Sequence, residues 1–169
     1  MVYSIIKRHG GEIRVDSEPG KGASFTITLP AAGEVVSQQE TVEGDGPRRL
    51  ARVLVVDDDP LVLSTLAELM STLGHTVTPA KSGPVALELY APGRFDVVLS
   101  NVGMAGMNGW ELAGRLREVD TSVPVVFITG WGLREEDHAR LVALKIHRCL
   151  FKPVRPTELD AAIQAAIPA

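Results

Sequence analysis

Three adjacent carboxylates, Asp57, Asp58 and Asp59, follow directly on the apolar run Val53–Val56, and Pro60 comes next. Asp59 and Pro60 suit the N-cap and the first position of a helix, which accounts for Asp59. Asp57 and Asp58 need another reason. Neighbouring carboxylates at the end of a buried strand repel each other and lose solvation unless a cation compensates. Mg²⁺ takes one or two carboxylates together with water and phosphate oxygens, so it is the cation that such a pair suits. Two more apolar runs end in residues able to do chemistry: Val125–Ile128 is followed by Thr129 and Gly130, and Cys149–Phe151 by Lys152 and Pro153. A hydroxyl, an ammonium and a carboxylate pair are together what a phosphoryl group requires. The cation and the lysine neutralise its charge, and the hydroxyl donates to an oxygen. Taken singly, Thr129 reads as a loop cap and Lys152 as a surface lysine. Their recurrence at the ends of successive runs makes them a set.

These groups meet only if the runs lie side by side as strands. Short runs rich in Val, Ile and Leu recur at Val53–Val56, Phe95–Leu99, Val125–Ile128 and Cys149–Phe151, with a short strand expected at Thr76–Thr78. Being apolar on both faces, they suit parallel strands covered on both sides. Helical stripes fall between them: Leu63, Leu66, Met70 and Leu73, stopped by Gly74; Leu112, Leu116 and Val119; Leu159, Ile163 and Ile167. Further helices are expected over Pro84–Tyr90 and Arg134–Leu144. Five β-α units in succession predict right-handed crossovers and a doubly wound parallel sheet, with the ligand site beyond the carboxyl ends of the strands. Both tryptophans, Trp110 and Trp131, are expected in loops near that edge.

Composition agrees with a folded α/β protein. Of 169 residues, 45% are hydrophobic and 22% charged, enough apolar material for a core. The net charge is −4 and no block is basic enough for a nucleic-acid surface. One cysteine, Cys149, precludes a disulfide within the chain, and four scattered histidines argue against a Cys/His zinc site. Uncharged Val97–Trp110 is too short to span a bilayer, and Lys7 and Arg8 interrupt any signal-peptide core. The expectation is a soluble, cytoplasmic chain without membrane contact.

The motifs VLVVDDDP (53–60), DVVLSNVGMAGMNGWEL (96–112), VVFITGWG (125–132) and CLFKP (149–153) carry a resemblance. Residues 52–167 resemble a receiver domain of the bacterial two-component response-regulator family. The resemblance implies a flavodoxin-like (βα)5 fold with a five-stranded parallel sheet, and Mg²⁺ held by Asp57, Asp58 and the backbone carbonyl of Gly103. It also implies that Thr129 contacts the phosphoryl group, that Lys152 bridges to it, and that the Lys152–Pro153 peptide is cis. One position departs. Asn101 stands where the family has the aspartate that accepts phosphate from a phosphohistidine. A neutral carboxamide is a far poorer nucleophile than a carboxylate and cannot yield an acyl phosphate. It also removes one of three carboxylates, so weak Mg²⁺ binding is expected. Other departures are smaller. Cys149 replaces an aromatic whose rotamer follows phosphorylation in many receivers, and it reads here as a buried thiol. Ala105 stands where proline is frequent, and Gly130 leaves access to the site open.

Residues 1–30 read as a helix end stopped by Gly10 and Gly11, then a hairpin with strands over Glu12–Glu18 and Ala23–Leu29. The segment SIIKRHGGEIRVDSEPGKGASFTITLP resembles the closing helix and hairpin of a sensor histidine kinase ATPase domain, whose nucleotide-binding motifs lie upstream of this segment. PGKG reads as a hairpin turn and not a phosphate loop, because no helix follows it. His9, next to two glycines, reads as a helix-end residue and not a phosphodonor. Such a hairpin cannot stand alone: it packs on the receiver, pairs between two chains as in a homodimer, or is partly disordered. Residues 31–51 are polar, lack periodicity and read as a flexible linker before a receiver over 52–169. Kinase tail, linker and receiver in that order imply the C-terminal part of a hybrid sensor kinase, with a histidine kinase or phosphotransfer protein as partner. Three functions follow: a phosphorelay receiver, a pseudo-receiver acting as a protein-interaction module, and a fragment of an active hybrid kinase. Asn101 favours the second over a competent form of the first, and the lack of ATP-binding motifs argues against enzyme activity in this chain.

Overall fold

Two compact units, Met1–Thr41 and Val42–Ala169, divide the chain in the computed structural model, which describes residues 3, 6–7, 10–30, 49–130 and 132–167. The readings placed on His9, on residues 31–48 of the linker and on Trp131 therefore lie outside the described residues. In the first unit Tyr3, Ile6 and Lys7 are helical. The N–H groups of Gly10 and Gly11 then close on the carbonyls of Lys7 and Ile6, with Gly10 at φ +69°. That double closure with a left-handed glycine is how helices commonly end. Strands β1 (Glu12–Glu18) and β2 (Gly22–Thr28) follow as an antiparallel hairpin, with Lys21 N–H bonded to the Glu18 carbonyl across the turn. Ile13 pairs with Ile27 and Val15 with Phe25, which puts their side chains on one face. Val15, Phe25, Ile27 and Leu29 are all more than half exposed.

In the second unit each apolar run sends alternate side chains to opposite faces of one sheet. Its strands are β3 (Arg52–Val56), β4 (Thr76–Ala80), β5 (Val97–Asn101), β6 (Val125–Thr129) and β7 (Ile146–Phe151). All pairings are parallel, in the order β4-β3-β5-β6-β7. The intervening helices are α1 (Pro60–Thr72), α2 (Gly83–Leu89), α3 (Gly109–Val119), α4 (Glu135–Ala143) and α5 (Pro156–Ala166). Val53, Val55, Leu99 and Ile128 pack with Leu66, Met70, Leu159 and Ile163 of α1 and α5. Leu54, Val56, Val98 and Phe127 pack on the other face with Ala86, Leu112 and Leu116 of α2 and α3. The expected flavodoxin-like sheet is present. Among the described residues no helix is long and apolar enough to cross a membrane.

Some element limits differ from the sequence expectation, each for a physical reason. The third receiver strand begins at Val97 and not at Phe95, because Asp96 turns its carboxylate onto the backbone N–H and guanidinium of Arg52. Phe95 is buried all the same, stacked on Tyr90. The strand therefore runs on to Asn101. Strand β7 starts three residues early, at Ile146, because a register irregularity at Val125/Val126 lets His147 be skipped in the pairing. Pro79 is accommodated in β4 because that strand is an edge. Helix α1 ends as expected: Gly74 has φ +90°, and the N–H groups of Gly74 and His75 bond to the carbonyls of Ser71 and Met70.

The end of the sheet away from the strand C-termini is braced by polar groups. Arg117, partly buried, donates to the carbonyls of Asp120, Val123, Leu144 and Lys145, tying the ends of α3 and α4 together. Asp120 is held far below the usual carboxylate range by hydrogen bonds from the hydroxyls of Ser122 and Tyr90. Residues 49–51, at the end of the segment read as linker, are already knit into this unit. Arg49 and Gln164 exchange backbone–side-chain hydrogen bonds, and buried Ala51 donates its N–H to His75 Nδ1 at 3.1 Å. A chain beginning at Arg49 should unfold in one transition by circular dichroism. A chain beginning at Arg52 loses these bonds, at a cost of about 1 kcal/mol, and should melt about 4 °C lower. Equal midpoints would show that residues 49–51 contribute nothing.

Candidate functional site at the carboxyl ends of the strands

Parallel register brings the chemistry-bearing residues to one edge. Val56 pairs with Ser100, Asn101 with Ile128, and Thr129 with Phe151. Asp57, Asn101, Thr129 and Lys152 are consequently the last or next residue of four adjacent strands. The ladder continues briefly past them, with the N–H of Lys152 on the Thr129 carbonyl and that of Val102 on the Ile128 carbonyl. Each side chain reaches this edge because the buried runs behind it leave one register for the sheet.

Asp57 is the centre of the arrangement and only 1% exposed. Its Oδ1 accepts from the Asp59 N–H at 3.0 Å and from Asn101 Nδ2 at 3.3 Å, and its Oδ2 accepts from Lys152 Nζ at 2.9 Å. Asp58 is exposed and accepts the Ala105 N–H on Oδ2 at 2.8 Å. Asp59 caps α1, accepting from the N–H groups of Leu61 and Val62, with Pro60 in the first turn. Asn101 Nδ2 donates a second time, to the Gly103 carbonyl at 3.1 Å. Thr129 is 2% exposed at the end of β6. The Lys152–Pro153 peptide is cis. The residues singled out from the sequence thus meet here: Asp57, Asp58, Asn101, Gly103 and Lys152 are linked directly or through a neighbour, and Thr129 lies in the adjoining strand.

The oxygen donors suit a hard cation: two carboxylates and a backbone carbonyl, all oxygen, close to a lysine. Among the described residues no three His, Cys, Asp or Glu side chains gather in a metal-binding cluster, and the side chain nearest this pair from β5 is the carboxamide of Asn101. As it stands, the carboxamide nitrogen faces two of the oxygens that a cation would use, so it competes with the ion.

Several contributors leave little trace in the sequence. Ala105 supplies the N–H that fixes Asp58, and a backbone donor leaves no mark on side-chain pattern. Asn108 and Glu111 form a reciprocal cap at the start of α3, a signal present as Asn-x-x-Glu. Trp110 is not in a loop, as the sequence pattern suggests, but is the second residue of α3, because that cap starts the helix before it. Its indole is 9% exposed, packs edge-on against Phe127 at 4.9 Å and lies under the Arg140 guanidinium at 4.9 Å. It lines a cleft of about 280 Å³ together with Gly103, Thr129 and Arg140. Gly130 opens onto free space, as expected, since a Cβ there would meet nothing within 4 Å. Cys149 is partly buried, and burial followed by the negative charge of Asp137 pushes its thiol up to about 11, so it stays protonated at neutral pH.

The Asp57–Lys152 pair is the strongest link across the edge, with Lys152 30% exposed. Lys152→Met should cost about 2 kcal/mol in urea unfolding, less than a fully buried pair because solvent reaches the ammonium. Asp57→Asn in the same chain should return part of that loss, which a double-mutant cycle reads as coupling. Strictly additive losses would mean that the two charges do not interact.

Known proteins share this fold. Residues 53–164 match the family model of the response regulator receiver domain. The chain is 35% identical over 165 residues to the aerobic respiration control sensor protein ArcB of Escherichia coli (strain K12), covering 95% of this chain and 21% of that protein. It is 32% identical over 160 residues to the sensor protein EvgS of the same strain, covering 89% of this chain and 13% of that protein. The chain thus spans only a small part of these relatives, and the ArcB match reaches into the N-terminal unit. Among solved structures, the chemotaxis protein CheY4 of Vibrio cholerae superposes with a TM-score of 0.65 at 27% identity, over 70% of this chain and all of that one. Family model and sheet order agree, and the chain belongs to the response regulator receiver domain family.

Proposed function

We propose that this chain is the receiver module of a two-component phosphorelay, from the C-terminal part of a hybrid sensor kinase, and that it does not take up a phosphoryl group. The observation that carries this reading is the setting of Asn101. Its side chain lies between Asp57 and the Gly103 carbonyl, beside the ends of β6 and β7, and offers those oxygens an N–H donor in place of a nucleophile. An attacking carboxylate brings a full negative charge and forms an acyl phosphate; a carboxamide brings neither. Positioning and charge neutralisation, the protein's share of phosphoryl transfer, are retained through Lys152, Thr129 and the aspartates.

The N-terminal unit supports the hybrid-kinase part of the proposal. Its helix end and hairpin fit the tail of a kinase ATPase domain, and the likeness to a sensor protein extends into it. We read the chain by itself as a non-enzyme, since the sequence carries no ATP-binding motif, and its partner as a histidine kinase or a phosphotransfer protein. The alternative is a pseudo-receiver that binds its partner through the same fold without phosphorylation, and the donor role of the Asn101 amide favours it.

Incubation with acetyl phosphate and Mg²⁺, read by intact-mass measurement, should add no phosphoryl group to this chain. Asn101→Asp should gain one, because the change is nearly isosteric and the surrounding groups are in place. The adduct should be lost on treatment with hydroxylamine, which cleaves acyl phosphates. Hydroxylamine-sensitive phosphorylation of the unaltered chain, or none on Asn101→Asp, overturns the assignment. Mg²⁺ should bind weakly, with a dissociation constant in the millimolar range by calorimetry. Restoring the third carboxylate should tighten it at least about tenfold, a difference of about 1.4 kcal/mol and well within what one added negative charge supplies at contact distance. Asp58→Ala with unchanged Mg²⁺ binding would remove the metal from this site.

A further inference from the structure

Two oxygen acceptors cannot bond each other; something positive or something donating must stand between them. Asp57 Oδ1 and the Gly103 carbonyl are such a pair, and in this chain one carboxamide nitrogen serves both, at 3.3 and 3.1 Å. Because both neighbours are acceptors, hydrogen-bond logic assigns the nitrogen, and not the oxygen, to this side of Asn101. Gly103 belongs to the loop between β5 and α3. That loop is tied once more to the aspartates through Ala105 N–H on Asp58 Oδ2 at 2.8 Å. At its far end Gly109 N–H bonds to the Val102 carbonyl. A Cβ on Gly109 would stand 2.5 Å from the Asn101 carbonyl oxygen, so the start of α3 is pressed directly against the end of β5.

We propose that Asn101 is a positioning residue standing in for a cation: its carboxamide bridges Asp57 to the Gly103 carbonyl and fixes the 102–108 loop without metal. An amide is suited to this because it carries two N–H donors on one nitrogen and no net charge. Lys152 neutralises Asp57 from the other side, so the cluster of Asp57, Asp58 and Lys152 holds a single excess negative charge. A carboxylate at position 101 would add a third acceptor and a second excess charge, and the loop carbonyl could then be joined to Asp57 only through an ion or a bridging water, of which only the ion offsets the added charge. The consequence is a loop whose conformation, and therefore the surface it presents to a partner, does not follow Mg²⁺. Any Mg²⁺ that does bind competes with the two amide bonds, which deepens the weak-binding reading above. The proposal rests on Asn101 occupying the phosphoacceptor position, but it requires no phosphoryl chemistry.

Hydrogen exchange at the backbone amides of Ala105 and Gly109, followed in EDTA and in about 10 mM Mg²⁺, tests it without a phosphodonor. In the unaltered chain the exchange rates should agree within about twofold between the two conditions. In EDTA, Asn101→Asp should exchange about tenfold faster at Ala105 than the unaltered chain, and Mg²⁺ should restore protection. Asn101→Ala, which loses the bridge without adding charge, should also exchange about tenfold faster in EDTA, and it carries the test if the Asp variant does not fold without metal. A tenfold gain in protection of the unaltered chain on adding Mg²⁺ overturns the proposal, as does full protection of either variant in EDTA. Failure here leaves the phosphorylation result standing, and failure of phosphorylation on Asn101→Asp leaves this one standing.

Discussion

A carboxylate buried at the end of a central strand dictates what its neighbours have to be. Asp57 is only 1% exposed, so its oxygens need donors close at hand. One donor comes from its own turn, the N–H of Asp59, which is available because Asp59 begins α1. The others come from far along the chain: Asn101 from β5 and Lys152 from beyond β7. The parallel sheet delivers these donors to one edge, because every right-handed crossover returns the chain to start the next strand at the opposite end, so all strands finish together. The two hydrophobic layers are thus a condition of the site as much as of stability. They enforce the register that places residues 57, 101, 129 and 152 side by side.

Within that frame a single atom exchange separates shape from chemistry. Asparagine has nearly the volume of aspartate and the same reach, so the strands and helices around position 101 accommodate either of the two. The change is electrostatic. A carboxylate would be a third acceptor among acceptors, whose added charge a cation would offset; the carboxamide is a donor and completes the network internally. The fold is therefore a poor witness to activity at this site, and the polarity of one side-chain atom is a good one.

Legibility in the sequence follows the strength of the physical constraint. Runs such as Val53–Val56 and Val125–Ile128 are readable because burial on both faces demands uninterrupted apolar residues. Gly74 is readable because a left-handed helix end favours glycine. The site residues are readable because packing gives little reason to end an apolar run with a carboxylate, a hydroxyl or an ammonium. The start of β5 is not, since Phe95 is as buried as the strand while its neighbour Asp96 is taken by Arg52, and burial alone does not reveal which backbone groups join the ladder. The ties of residues 49–51 are hidden for a related reason. Arg49 and Gln164 look like ordinary surface residues, and a contact over more than a hundred positions leaves no local pattern. Trp110 misleads because the run of small and polar residues before it resembles loop, whereas the Asn108–Glu111 cap has already begun the helix.

The second departure of the sequence fits the first. An aromatic on the last strand whose rotamer follows phosphorylation has a purpose only where the site cycles between two states. At that position stands Cys149, partly buried and held as a neutral thiol, too small to sweep between an inner and an outer rotamer. Among the described residues the aromatic that lines the cleft beside Thr129 is Trp110, held from two sides by the edge contact with Phe127 and by the Arg140 guanidinium. Moving it would break a cation–π contact and expose apolar area in a well-packed layer, costs of the order of 1–3 kcal/mol. A fixed indole, a small residue in place of the moving ring and a donor in place of the nucleophile are mutually consistent. Each alone would impair a switch, and together they support the proposed reading of a receiver that does not take up a phosphoryl group.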